Sequence, residues 1–308
     1  MTLLQKAVSP RLSRAYLEEG YDRVGGHVVR VADVRFARSV TDLAAVHGLH
    51  APGSGWTADA AWVDLLRFDT TWAMRYLGEP GFAVPLWWLL PTRVPPGAQL
   101  VRRYADGGLE LLARYGHVGT GWMPTDRERP APVMAPLSVC AGPVVRWRGT
   151  HIEADLVDGS VILATSTEPD PTQGFWPGAP GRWYRQVDPS EVDDVLVLDV
   201  TATWRGLRVR VVDQVLRDGR QVAHIVPAAD DVDAARGRGM RALDADVLDA
   251  WVDLDELAVL RSQRLEAPAG AHWQPPAPAH DDSPLPVPEL EAEPGAEGAA
   301  GPSTGTAG

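Results

Sequence analysis

The chain has 308 residues, 45% hydrophobic and 23% charged. That is enough apolar material for a sizeable core in about two globular units, and it excludes wholesale disorder. The formal net charge is −12. Seven of the acids and no lysine or arginine lie from Glu266 onward, yet the body ahead of that tail is still not basic, which argues against binding to nucleic acid phosphates. A single cysteine, Cys140, excludes an internal disulfide and any multi-thiolate metal site.

Lys6 is the one lysine, asparagine is absent and isoleucine occurs three times. These residues use AT-rich codons, so the chain reads as the product of a GC-rich genome and its many arginines carry little functional weight. The start, MTLLQKAVSPRLSR, has no apolar core ahead of a small-residue cleavage site. A short helix is expected within Leu3–Leu17, and Pro10 either breaks it or restricts it to the part after Ser9. The apolar run GFAVPLWWLLP over 81–91 is interrupted by Pro85 and is far shorter than the ~20 residues of a spanning helix. A cytoplasmic protein without a membrane segment is therefore expected. Gln99–Tyr104 and Leu109–Tyr115, separated by Asp106-Gly107-Gly108, predict a hairpin.

Beyond this lies an internal repeat. One copy runs Trp147-Arg148-Gly149, Asp158-Gly159, Gly174-Phe175, Val187-Asp188-Pro189-Ser190-Glu191. The next runs Trp204-Arg205-Gly206, Asp218-Gly219, Gly239-Met240, Val252-Asp253-Leu254-Asp255-Glu256, and the step from the later glycine to the valine is 13 residues in both. Leu207–Val212 alternates apolar residues with Arg208 and Arg210, a half-buried strand. Asp218-Gly219 then offers a tight turn, and Val222–Val226 returns. The first copy repeats this plan over His151–Val157 and Ser160–Thr165. Asp231–Arg238 predicts a short helix and Trp251–Leu254 a closing strand. A weaker third copy reads from Gly25-Gly26 through Gly48-Leu49 to Trp62-Val63-Asp64, with Arg67 where the repeat has glutamate.

The expected fold is mainly β (α+β), with tandem small SH3-like barrel or β-roll modules of about 60 residues. Residues 1–69 form a degenerate copy with a short helix, 70–142 a Pro- and Trp-rich segment with a hairpin, and 143–199 and 200–265 the two clear copies. Residues 266–308, rich in Pro, Ala and Glu, are expected to be disordered.

The Trp-Arg-Gly tryptophans suit core plugs, with sugar stacking as the other use of a tryptophan-rich chain. The repeated Val-Asp-x-x-Glu (Asp188 and Glu191; Asp253 and Glu256) can pair carboxylates for acid–base or metal chemistry, or can cap a turn. Asp230, Asp231 and Asp233 lack the glycine and distal glutamate of a calcium loop. No nucleophile motif, phosphate loop or zinc spacing is present, and no cofactor, metal or catalytic residue is assigned. Clustered acids remain: nine against three arginines over Asp230–Glu256, and five without a base over Asp188–Asp199. Such faces suit docking to a basic protein.

The unit Trp147-Arg148-Gly149 … Asp158-Gly159 … Gly174-Phe175 … Val187-Asp188 … Glu191, with its second copy, resembles β-rich repeat modules of uncharacterised proteins associated with polymorphic toxins and their immunity partners in GC-rich bacteria. The resemblance covers Pro143–Arg264, with an extension to Tyr21–Asp69. It implies a non-catalytic adaptor, chaperone or immunity role. The functional expectation is a non-enzymatic protein-interaction protein binding through Asp188, Glu191, Asp230, Asp231, Asp253 and Glu256, with neither nucleic acid nor membrane as partner. Two alternatives stand beside it. One is a hydrolase or transferase with its site in 80–140 (His117, Glu110, Cys140), and the other is carbohydrate or ligand binding through tryptophans.

Overall fold

Two antiparallel sheets, joined by buried ion pairs, make up the computed structural model of this chain. It describes residues 2–49, 56–57, 59–77, 87–228, 232–244 and 247–267. These belong to one unit, Met1–Pro278. The second unit, Ala279–Gly308, lies outside the described residues, as do nearly all of the expected disordered tail and Asp230 and Asp231.

The first sheet contains β1 (Leu3–Val8), β2 (Arg23–Arg30), β3 (Trp62–Asp69), β4 (Tyr76–Leu77), β5 (Trp87–Arg93), β6 (Gln99–Tyr104), β7 (Leu109–Tyr115) and β8 (Trp122–Pro124). Their spatial order is β4-β5-β2-β1-β3-β6-β7-β8. The helix α1 spans Pro10–Glu18. It starts where Ser9 accepts a hydrogen bond from the Leu12 amide and Pro10 occupies the first helical position. The helix is thus confined to the part after Ser9, and Leu3–Val8 ahead of it is a strand. It lies between β2 and β3, and its inward Gln5 and Lys6 are buried with partners waiting: Arg67 at 2.9 Å and Asp244 at 2.7 Å. Tertiary pairing overrides local preference there. The hairpin over 99–115 is as expected.

The Gly25-Gly26 pair lies inside β2, beside a register shift against β5. Between β2 and β3 the chain carries a 3-10 turn, Val31–Val34, and the helix α2 (Val40–Val46). The residues matched to a third copy therefore occupy a different order of elements from the two clear ones.

The second sheet holds β9 (Pro143–Trp147), β10 (Thr150–Val157), β11 (Ser160–Thr165), β12 (Trp176–Pro177), β13 (Trp183–Val187), β14 (Val192–Trp204), β15 (Leu207–Arg217), β16 (Arg220–Pro227), β17 (Arg241–Asp244), β18 (Val247–Asp253) and β19 (Leu257–Glu266), with α3 over Val232–Gly237. The order β12-β13-β11-β10-β9-β14 recurs as β17-β18-β16-β15-β14-β19. The long strand β14 closes the first unit and opens the second. Four two-residue hairpin turns set the register: Arg148-Gly149, Asp158-Gly159, Arg205-Gly206 and Asp218-Gly219, all with positive φ at both positions. Such turns match the right-handed twist of the flanking strands. Trp147 and Trp204 are buried in their units' cores among Val145, Leu163 and Val195, and among Val209, Ile225 and Val252. Each lies beneath the arginine that follows it, at 4.3 and 4.5 Å. They are core plugs with a cationic lid.

Leu243 and Val247 of the second repeat pack into the core of the first sheet, beside Leu4, Tyr16 and Trp122. Among the described residues no helix is long and apolar enough to cross a membrane.

Candidate functional site

The registers of β15, β16 and β18 place Asp213 opposite His224, and His224 opposite Trp251. Residues paired across adjacent strands share a face, so these three side chains form one row. A register shift between Val211 and Asp213 sets the parity at which Asp213 joins it. Asp249, two residues before Trp251, shares that face, and its Oδ2 lies 2.9 Å from His224 Nε2. The imidazole stacks on Trp251 with centroids 4.6 Å apart and planes 7° from parallel, and Tyr21 approaches it edge-on at 6.2 Å. Arg217 lies over Trp251 at 4.8 Å.

The row floors a cleft of about 470 Å³, walled by Arg11, Ala15 and Glu19 of α1, by Tyr21–Arg23, and by Ala135 and Pro136. This is the volume of a small-ligand pocket or a side-chain socket. The charges behind its floor are paired. Arg23 bonds Asp22 and approaches Asp213 at 3.7 Å. Asp22 also meets Arg182 at 2.8 Å and accepts a hydrogen bond from the Tyr115 hydroxyl at 3.2 Å. Burial works against ionisation of Asp22, but Arg23 and Arg182 outweigh it and hold the carboxyl below its usual range. Burial pushes the Tyr21 hydroxyl far above its ordinary range, so it stays protonated. A parallel knot lies nearby: Arg93 of β5 meets Asp155 at 3.0 Å and donates to the Ala141 and Pro143 carbonyls, while Asp155 accepts from the Val118 amide at 2.6 Å.

Chemically, Asp249 orients the imidazole through Nε2, and Nδ1 is buried with no hydrogen-bond partner in the structure. An oriented imidazole can accept a proton or a hydrogen bond. Among the described residues the cleft lining contains no serine, threonine or cysteine.

The residues singled out from sequence lie elsewhere. Asp188 and Glu191 form a reciprocal cap on the 3-10 turn Pro189–Glu191. The Ser190 hydroxyl and amide, donating to Asp188, hold its carboxyl below the usual range. Glu256 accepts from Trp204 Nε1 at 3.1 Å and from Arg205 at 3.2 Å, which lowers its pKa in turn. Asp253 faces Arg220 at 3.5 Å. No hydrogen bond or ion pair joins the Asp188/Glu191 pair to the Asp253/Glu256 pair among the described residues.

The run of acids over 188–199 is compensated across the strands. Arg146 meets Asp193 and Asp194 at 3.5 and 3.2 Å, Arg264 meets Asp194 at 3.7 Å, and Arg210 and Arg75 meet Asp199. A stretch without a base in sequence becomes a ladder of ion pairs in the sheet. The 80–140 residues are also dispersed. Glu110 accepts from the Tyr104 hydroxyl, and His117 Nδ1 accepts from the Gly119 amide at 3.1 Å. Cys140 is buried in the core of the second repeat, where burial pushes its thiol up. No hydrogen bond or ion pair joins these three. Among the described residues no group of three or more His, Cys, Asp or Glu is placed to hold a metal ion.

His224, Asp249 and Asp213 escaped the sequence reading. Their signal is a titratable residue at an inward position of an otherwise apolar strand (QVAHIVP, VLDAWV), which only register converts into a shared site. No protein-family model, curated protein or solved structure matches the chain.

Proposed function

We propose that this is a non-enzymatic protein-interaction protein whose recognition surface is the cleft over the second repeat, and that its partner inserts an apolar side chain there. One observation carries the reading. Leu216 is 68% exposed and Trp251 40% exposed at the rim, beside Arg217, while the charges of the floor are already paired within the chain. Tryptophan and arginine are the residue types that anchor interfaces, and a compensated floor asks no counter-charge of the partner. The basic partner expected from the acid clusters is therefore not required.

The strand order supports reading each repeat as a small SH3-like barrel. In both, a short 3-10 turn precedes the strand that returns to pair with the first. A cytoplasmic adaptor, chaperone or immunity role accords with such modules and with the lone buried thiol.

The test places a photo-crosslinking amino acid at Leu216 in the full chain, expressed in the native host, with the same group at the exposed Phe36 as control. The expected result is one crosslinked protein from position 216, absent from position 36, undiminished at high salt and lost in Trp251→Ala. The same products from both positions, or indifference to Trp251→Ala, overturns the proposal.

A second reading rests on the Asp249-oriented imidazole, which has the geometry of a general base acting on a water or on a substrate's own hydroxyl. Turnover of a carboxylic or phosphoric ester that Asp249→Asn and His224→Gln abolish together would establish it in place of the first.

A further inference from the structure

On the first sheet a separate cavity of about 310 Å³ is lined by Arg35, Arg38, Arg67 and Arg103, with Val34, Leu43 and Leu65 as its apolar floor and no carboxylate in its wall. Arg67 and Arg103 are half-buried on β3 and β6. Elsewhere the fold gives its buried and half-buried arginines a carboxylate: Asp22 for Arg23 and Arg182, Asp155 for Arg93, Asp64 for Arg102, Asp199 for Arg210. The four cavity arginines have no ion pair among the described residues. Arg67 donates to the Gln5 side-chain oxygen at 2.9 Å, and Arg103 donates twice to the Arg38 carbonyl, at 3.3 and 3.1 Å. The acids that flank Arg35 and Arg38 in sequence are engaged elsewhere. Asp33 pairs with Arg30 at 2.7 Å, and Asp42 caps α2 by accepting from the Ser39 and Arg38 amides. Burial and the neighbouring charge of Arg103 both lower the Arg67 pKa, so the site is electrostatically unfavourable as it stands.

We propose that this cavity binds the phosphate monoester of a small organic molecule. Planar guanidiniums match phosphate oxygens in pairs, and the anion supplies the counter-charge that the fold withholds. The organic part lies against Val34, Leu43 and Leu65, and the volume is that of a small ligand. The proposal is independent of the cleft over the second sheet.

Calorimetric titration of the full chain uses phenyl phosphate, inorganic phosphate and phenol as probes. Phenyl phosphate is expected to bind at least tenfold more tightly than either of the others. Arg103→Gln and Arg67→Gln should each weaken it at least tenfold, while Arg217→Gln, in the cleft, should leave it unchanged. A melting temperature of the ligand-free Arg103→Gln and Arg67→Gln chains equal to or above that of the unaltered protein shows that both fold. Absence of phenyl phosphate binding, or equal binding by the Arg67→Gln/Arg103→Gln double variant, overturns the site. Inorganic phosphate binding as tightly as phenyl phosphate overturns the organic part of the assignment.

Discussion

The cleft beside Trp251 and the cavity beside Arg67 are both lined by arginines, yet their charges are handled in opposite ways. Behind the cleft, Arg23 and Arg182 converge on Asp22 with a tyrosine hydroxyl, Asp213 lies 3.7 Å from Arg23, and Asp249 bonds the His224 imidazole. In the cavity four guanidiniums share one wall with no acid. Buried pairs cost desolvation and repay it through geometry, whereas an unpaired buried charge is simply a cost. A fold that compensates one set and leaves the other open marks the first as architecture and the second as a place where charge arrives from outside.

Removing an architectural charge should have the largest effect. Arg182→Leu leaves Asp22, wholly buried, with one guanidinium fewer and should cost about 3 kcal/mol in urea unfolding. A loss below about 1 kcal/mol, the worth of a surface pair, would erase the contrast.

His47 gives a pH-dependent test beside the open cavity, since its Nε2 lies 3.2 Å from the Gln5 amide that supports Arg67. Burial first, then the charges of Lys6 and His27, lower its pKa from 6.5 to about 3. The unfolded chain takes up a proton near pH 6.5 while the folded chain resists until about 3. The contribution is therefore complete above 6.5 and lost as pH falls toward 3, by roughly 5 kcal/mol. Unfolding free energies of the protein and of His47→Gln should diverge at neutral pH and converge on acidification. Parallel curves would show that His47 carries no linkage.

The smallest effect belongs to the cavity. Neutralising an uncompensated charge by Arg67→Gln should leave stability within about 0.5 kcal/mol, or raise it. A loss above about 1 kcal/mol would show that the hydrogen bond to Gln5, and not charge, governs this wall.

The parts readable in sequence were those set by local chemistry. Asp218-Gly219 announces a two-residue turn because glycine accepts positive φ at its second position, and alternation in LRVRVV announces the strand before it, whereas the turn at Arg205-Gly206 was not read. Trp147 and Trp204 were legible as plugs for the same reason, repeated at matching places. The strand Leu3–Val8 was not legible, because its burial depends on β2, β3 and Asp244, none of which is near in sequence. The acids over 188–199 looked like an open face because the arginines that neutralise them are Arg75, just ahead of β4, and those of β9, β15 and β19, the neighbours of β14.

The sequence by itself determined the mainly β character and the turns at Asp158-Gly159 and Asp218-Gly219, because hairpin geometry and strand parity act over a few residues. Only the tertiary structure decided which charges meet. Asp22 and Arg182 stand 160 residues apart and meet at 2.8 Å, and Asp213, His224 and Trp251 share a row through the register of three strands. Arg35, Arg38, Arg67 and Arg103 share a cavity through the docking of a turn and α2 on β3 and β6. Electrostatic energy depends on separation in space and on burial, and neither quantity exists until the chain has folded.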